Sequence, residues 1–344
     1  MTSKELVHAA LAGRPTPRVP TGPLAVHFCA RVAGYTLRQY TTDAEALADS
    51  VIRYHERFRP DAVWLSADTW VSAEAMGAQV GALDDDQPFG GLGDPLVQSA
   101  ADLDCIPAPN VATQGRYPLM IKALSRIVSA LGKDVFIVAC FDQYPFSLAA
   151  ALMGINEIML KLHEDPAFVQ AVMARCEDYA LAYGQALAAT GADLLSGGDS
   201  PVGLVGPRSY VKLLLPAEQR LIRKLKSSTG KLVSLHICGN TTRILSPMAW
   251  SGADVLELDH AVDIGGACRA VGPGMGLWAN LDPVSVLARG TPAEVTAEAR
   301  KVLTEVQAAG HQRFVLSSGC TLAVETPYQN LQALLAVSGS DSQH

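Results

Sequence analysis

The sequence predicts an α/β protein, a (β/α)₈ TIM barrel with an N-terminal helical extension and an insertion near the barrel mouth. Short apolar and β-branched runs alternate with longer helical patterns, which is typical of strand–helix units around a parallel sheet. The 344 residues, 49% of them hydrophobic, suffice for one such domain. No Gly-x-Gly-x-x-Gly motif follows the first run, which argues against a dinucleotide-binding sheet. The eight candidate strands are residues 23–28, 61–68, 134–141, 192–199, 231–238, 253–260, 274–281 and 313–320.

The helix before the last candidate strand is clearly marked in the sequence. Thr291 is suited to the N-cap, Pro292 to the first helical position, and Glu294 completes a capping box with the threonine. Gly310 then ends the helical pattern. The sequence therefore predicts one complete crossover helix between two strands.

The connection at residues 69–133 is too long for an ordinary loop of a barrel. We expect it to be an insertion that helps to cover the barrel mouth. Residues 1–338 are expected to form a single barrel domain, and the polar residues 339–344 a disordered tail.

Composition excludes several classes of partner. The net charge is −7, and no run of lysines and arginines is interleaved with aromatic residues, so nucleic acid is not expected to bind. No export signal and no apolar stretch of roughly 18 residues is present, so we expect a cytoplasmic protein without a membrane span. Seven scattered cysteines make a disulfide framework improbable and leave metal binding or burial as their roles.

A metal site is predicted from two strand ends. His236 and Cys238 close the candidate strand 231–238 and, as residues i and i+2, point to the same face. Cys320 ends the last candidate strand, and the carboxyl ends of barrel strands converge on one mouth. Two thiolates and an imidazole suit zinc and leave a fourth position for water or substrate.

Carboxylates at neighbouring strand ends are candidates for the rest of the site. Asp259 could fill the fourth zinc position until substrate displaces it, and Glu257, on the same strand face, competes with it for this role. Asp68 and Asp199 also lie at strand ends. They are candidate catalytic residues that would orient substrate or a zinc ligand, although each could equally cap the following helix or loop.

Two amides complete the set of candidates. Asn240 follows the His-x-Cys pair and Asn280 ends the candidate strand 274–281. Either side chain could bind polar groups of a substrate or cofactor.

The segment "LWANLDPVSVLARGTPAEVTAEARKVL" resembles the N-x-D-P…L…G-T-P-E-x-V segment of the uroporphyrinogen decarboxylase superfamily, and the resemblance extends over nearly the whole chain. It implies a (β/α)₈ barrel. Decarboxylases of this superfamily use no metal, whereas its methylcobamide:coenzyme M methyltransferases hold zinc through His-x-Cys and a distant cysteine. His236, Cys238 and Cys320 match the methyltransferase pattern, and Cys320 stands where the decarboxylases have a histidine. The stretch "RVAGY" keeps Arg31 but lacks the second arginine with which decarboxylases bind porphyrin acids.

The resemblance implies transfer of a methyl group from a methylated corrinoid, carried by a separate corrinoid protein, to a thiol such as coenzyme M or homocysteine activated at zinc. Asp259 falls where zinc-dependent methionine synthases have a glutamate ligand. Three alternatives remain open: a metal-free decarboxylase, a corrinoid:tetrahydrofolate methyltransferase, and a corrinoid-binding or structural zinc protein without enzymatic activity. The last would need a closed four-ligand site, for which only His260 is at hand.

Overall fold

The computed structural model describes residues 1–338, so the predicted tail 339–344 lies outside the described residues. Parallel strands hydrogen-bond to one another in their order along the chain. This arrangement confirms the repeated strand–helix units that the sequence predicts. The strands are β1 (Ala62–Leu65), β2 (Phe136–Gln143), β3 (Leu194–Gly198), β4 (Leu232–Ile237), β5 (Val255–Leu258), β6 (Gly276–Leu281) and β7 (Phe314–Ser318).

Helices precede and separate these strands. A 3₁₀ helix at Ser200–Leu204 and π-helical turns at Tyr210–Leu214 and Pro283–Ala288 lie in the loops after β3 and β6. The capping box of Thr291 and Glu294 forms as predicted. The α-helices are α1 (Ser3–Leu11), α2 (Val26–Ala33), α3 (Leu37–Thr42), α4 (Ala44–Phe58), α5 (Val71–Met76), α6 (Ala100–Cys105), α7 (Tyr117–Leu131), α8 (Pro145–Met153), α9 (Ile155–Glu164), α10 (Pro166–Ala189), α11 (Pro207–Ser209), α12 (Leu215–Thr229), α13 (Leu245–Ala249), α14 (Ile264–Val271), α15 (Pro292–Ala308) and α16 (Tyr328–Val337).

The gap between β7 and β1 is bridged by a short irregular segment, residues 20–22. On one side the amide of Gly22 donates to the carbonyl of Leu316, and Leu316 donates back to Pro20. On the other side the carbonyl of Thr21 accepts from Asp61 and Ala62 at the start of β1. The segment thus takes the position of an eighth strand and continues the sheet from β7 to β1.

The prediction of a strand at residues 23–28 is wrong, because helix α2 begins at Val26. A run of four apolar residues cannot by itself distinguish a strand from a buried helical turn. Pro20 and Pro23 also lack the amide hydrogens that a regular strand would need here.

The barrel interior is apolar at the bottom and polar towards the mouth. Trp64, Val138 and Trp278 pack together inside the lower half. Helix α1 lies beneath them, and its Val7 and Leu11 belong to the same cluster. The N-terminal helical extension is therefore confirmed, and it closes the end of the barrel opposite to the mouth.

The connection between β1 and β2 is only partly an insertion. Its last helix, α7, packs against α4 and α10 as the crossover helix of the β1–β2 unit. The additional part is the segment before it, which contains α5 and α6. Arg116 at the end of this segment is paired with Asp68 after β1, so the segment is fastened to the mouth side of the barrel.

The helices of the described residues differ in length and composition from a membrane span. Within residues 1–338 no single helix is long and apolar enough, and α8 with α9 passes only as a pair that is bent by 111°.

Candidate metal centre

Three soft donors meet at the barrel mouth. One ligand atom from each of His236, Cys238 and Cys320 lies within 4.8 Å of the other two. His236 Nε2 is 3.0 Å from Cys238 Sγ, as the same-face geometry of i and i+2 predicts. An imidazole and two thiols form a donor set that fits a borderline-soft divalent metal such as zinc.

Cys320 reaches the other two ligands because Gly319 precedes it. The amide of Gly319 donates to the carbonyl of Leu281, and its Cα packs on the loop after β5. A Cβ on Gly319 would overlap the backbone amide of His260. Only glycine therefore lets the loop after β7 approach the backbone of His260 this closely. In the sequence, the glycine directly before Cys320 is the feature that could have indicated this close approach.

The protonation of the three donors is coupled. The hydrogen bond from Cys320 lowers the pKa of Cys238 to about 7, with burial opposing and Ser200 assisting. The same bond, together with burial, raises the pKa of Cys320 to about 12. Burial opposes the charged form of His236, but the Cys320 sulfur and the Glu257 carboxylate outweigh it and raise the pKa of His236 to about 9. Without a metal, the site holds protons that a metal would have to displace.

Glu257 lies in the barrel interior beneath His236. Its backbone carbonyl is 3.1 Å from Nδ1 of His236, and its Oε2 is 4.0 Å from the same nitrogen. Ser196 and Ser234 both donate to its Oε1. The contact to Nδ1 leaves Nε2 facing the sulfurs, so Glu257 orients the imidazole for metal binding.

Asp259 is beside the three donors but outside their cluster. Its carboxylate accepts from the amides of Gly239 and Ala261 at 2.9 Å each. Nδ1 of His260 is 3.0 Å from one carboxylate oxygen. Asp259 thus shapes the loops after β4 and β5 in this state.

The two candidate amides have local partners. Asn280 is buried and donates to the carbonyls of Asp259 and Val262, which holds the loop after β5 in place. Asn240 is exposed, and its side chain accepts from the amide of Thr242 in the turn after β4.

Asp68 and Asp199 are both buried at strand ends. Asp68 pairs with Arg116 and accepts from the amide of Trp70. Asp199 accepts from the amide of Ser147 at 2.7 Å, and its carboxyl group interacts electrostatically with that of Glu218. Burial raises the pKa of Asp199 to about 7. Both aspartates anchor loops that border the site.

A residue that the sequence analysis did not single out contacts a candidate ligand directly. The hydroxyl of Ser200, the residue after Asp199, donates to Sγ of Cys238 at 3.1 Å. In the sequence, the position of Ser200 just after the end of a predicted strand could have indicated that it lies near the site.

Fold and site together define a TIM-barrel protein with a candidate metal centre of one histidine and two cysteines at the carboxyl ends of β4 and β7. Residues 2–339 match the uroporphyrinogen decarboxylase (URO-D) family model, and the chain belongs to this family. This membership confirms the resemblance seen in the sequence.

Individual relatives agree with this assignment. The methylcobamide:CoM methyltransferase MtbA of Methanosarcina mazei is 31% identical over 342 residues, which cover 97% of this chain and 96% of that protein. The structure of a methyltransferase from Methanosarcina mazei superposes with a TM-score of 0.88 at 26% identity and covers 98% of both chains. A B12-independent methionine synthase from Shewanella sp. W3-18-1 shares the fold, with a TM-score of 0.61 at 11% identity over 94% of this chain and 97% of that one.

Proposed function

We propose that this chain is a zinc-dependent methyltransferase that moves a methyl group from a methylated corrinoid, presented by a corrinoid protein, to a thiol such as coenzyme M or homocysteine. The observation that carries the proposal is the meeting of Cys320 with His236 and Cys238. Full-length relatives that are named methylcobamide:CoM methyltransferases support it. Three protein ligands would leave one position for a substrate thiol.

The chemistry requires a thiolate, because a free thiol with a pKa near 8.5 is mostly protonated at neutral pH. Zinc, when bound, would lower the pKa of a coordinated substrate thiol and so supply the nucleophile. The protein holds the donors in place through Glu257 beneath His236 and the Gly319 loop beneath Cys320. A methylated corrinoid is an activated donor, so the remaining task of the protein is positioning.

The surrounding polar residues have proposed supporting roles. Asp259 is the proposed fourth ligand. To bind the metal, its carboxylate would give up the hydrogen bonds that it accepts from the amides of Gly239 and Ala261. Asp68 and Asp199 are proposed to orient the site through Arg116 and Ser200. Asn240 and Asn280 remain candidates for binding polar groups of the substrate, and the segment between β1 and α7 is the proposed landing surface for the corrinoid protein.

A porphyrin decarboxylase is the competing function within the family, and it is disfavoured because "RVAGY" offers Arg31 without a second arginine for the acid groups of a porphyrin. The guanidinium donates to the carbonyls of Val324 and Thr326 at 2.9 Å each. It also lies 4.8 Å from the ring centre of Tyr328. The two hydrogen bonds involve one guanidinium nitrogen, Nη1, and hold the arginine against the C-terminal segment.

X-ray absorption at the zinc edge tests the proposal. The purified chain is expected to hold about one zinc, with two sulfurs among the neighbours of the metal, and the accepted thiol should raise that number to three. Coenzyme M, homocysteine and tetrahydrofolate are tried in turn with a methylated corrinoid donor. Full activity without metal, or turnover with tetrahydrofolate alone and an unchanged zinc edge, would contradict the proposal.

Zinc binding should release protons and strengthen as the pH rises. At pH 7 the pKa values of His236 and Cys320, about 9 and about 12, keep both groups protonated, and Cys238 is about half protonated. We therefore expect about two to three protons to leave per zinc at pH 7. Calorimetry in buffers of different ionisation enthalpy measures this number. Release of no protons would show that the three residues do not take up the metal.

A further inference from the structure

The 3₁₀ helix Ser200–Leu204 lies directly on Cys238 and contacts it at two points. The hydroxyl of Ser200 donates to Sγ at 3.1 Å. Gly203 lies so close that a Cβ built on it would be 2.9 Å from the carbonyl oxygen of Cys238. One short helix therefore contacts both the sulfur and the backbone of a candidate metal ligand.

This short helix is held firmly from below. The amide of Asp199 donates to the carbonyl of His236 at 2.7 Å, which joins the loop to the ligand-bearing strand β4. The Asp199 carboxylate accepts in turn from the amide of Ser147 and lies beside the carboxyl group of Glu218. Tyr210 donates to Glu218 at 2.7 Å. The Ser200 hydroxyl is thus placed by a buried network that extends to α12.

A hydrogen bond to a thiolate has a chemical consequence. The donated hydrogen withdraws electron density from the sulfur, so the sulfur becomes a weaker nucleophile. A methyltransferase with cysteine ligands needs such protection, because the activated methyl donor faces three sulfurs of similar chemistry: Cys238, Cys320 and the substrate. Methylation of Cys238 would use its electron pair to form a C–S bond, expel the leaving group of the donor, and remove the residue as an anionic ligand.

We propose that Ser200 is a positioning residue that directs methyl transfer to the substrate sulfur by hydrogen-bonding to Cys238 and lowering the reactivity of that ligand. The inference rests on the proposed function and deepens it, since it names a group that selects among the sulfurs. Ser200 acts through Cys238 and does not itself touch the reacting atoms.

The test uses the zinc-loaded full-length chain and methyl iodide, with iodide as the leaving group. Mass spectrometry of peptides gives the ratio of S-methylated Cys238 to S-methylated Cys320, and zinc content is measured on the same samples. Loss of one hydrogen bond in Ser200→Ala should raise this ratio about fivefold relative to the wild-type chain. Ser200→Thr keeps a hydroxyl and should restore the wild-type ratio. Ser209→Ala, which removes a hydroxyl from the end of the same loop, is the matched control and should leave the ratio unchanged.

An unchanged ratio in Ser200→Ala would overturn the inference. So would an equal rise in Ser209→Ala, or a loss of zinc from Ser200→Ala that Ser200→Thr does not restore. The assay uses neither a corrinoid nor a thiol acceptor, so an inability to methylate thiols would overturn the proposed function without affecting the ratio. A wild-type chain that binds no zinc would overturn both.

Discussion

Replacement of Cys320 by alanine is expected to lower the zinc affinity of the chain by about a hundredfold or more and to abolish methyl transfer to thiols, while the barrel still folds. Zinc sites of this chemistry bind with roughly 10–16 kcal/mol, so one of a few ligands accounts for about 3 kcal/mol. Cys320 follows β7 at the mouth and lies outside the apolar cores of the barrel. Its loss therefore affects the site more than the fold.

Variants of the other candidate ligands test whether the loss of zinc is specific to the three clustered donors. His236→Ala and Cys238→Ala should lose zinc to a similar extent, because each removes one of the three clustered donors. Asp259→Ala should have a milder effect, since its carboxylate is bonded to backbone amides. Cys105→Ala removes an exposed cysteine from α6 and is the matched control for zinc binding.

Zinc content by elemental analysis, affinity by competition with a chelator, and circular dichroism together separate metal loss from unfolding. Full zinc content and full turnover in Cys320→Ala would contradict the three-ligand site. An equal loss of zinc in Cys105→Ala would show that the assay reports general damage to the protein.

The site was more predictable from sequence than the closure of the barrel. The period of two in a strand places His236 and Cys238 on one face, and the convergence of parallel strand ends brings Cys320 to them. Both rules depend on backbone geometry alone, so they hold before any packing is known. The repeat of strands and helices follows from the hydrophobic pattern in the same way.

Closure of the barrel depends on hydrogen bonds between residues that are far apart in the sequence, and the local sequence pattern does not predict such bonds. The segment 20–22 replaces a regular strand through hydrogen bonds of Thr21 and Gly22 to residues far along the chain. Trp278 donates from Nε1 to the carbonyl of Gly22 and fills the space that a side chain there would need. The contact between Gly22 and the buried Trp278 cannot be predicted until the fold is known, because the two residues are far apart in the sequence. The same holds for Ser200, whose partner Cys238 directly follows the next strand, β4.

Hydrogen-bond partners also changed the interpretation of the candidate carboxylates. Sequence placed Glu257 and Asp259 on one strand face and could not choose between them as metal ligands. The structure gives them different surroundings, since serine hydroxyls bind Glu257 and backbone amides bind Asp259. These differences arise from neighbouring strands and loops, which the sequence of β5 does not specify.

Gly319→Ala is expected to lower zinc affinity at least tenfold although it leaves every ligand in place. The added Cβ would overlap the backbone amide of His260, and backbone cannot rotate away as a side chain can. Overpacking of this kind costs about 1–3 kcal/mol, so the loop after β7 should shift and take Cys320 with it. A shift of about 1 Å is enough to spoil a metal site.

Gly206→Ala is the matched control for this substitution. Gly206 lies in the loop after β3, where its φ of −65° is allowed for alanine and an added Cβ meets nothing within 4 Å. Zinc affinity and the sulfur count at the zinc edge should be unchanged in this variant and reduced in Gly319→Ala. A Gly319→Ala protein that keeps two sulfurs and wild-type affinity would show that the β7 loop can adapt, and that the close contact between Gly319 and His260 does not position Cys320.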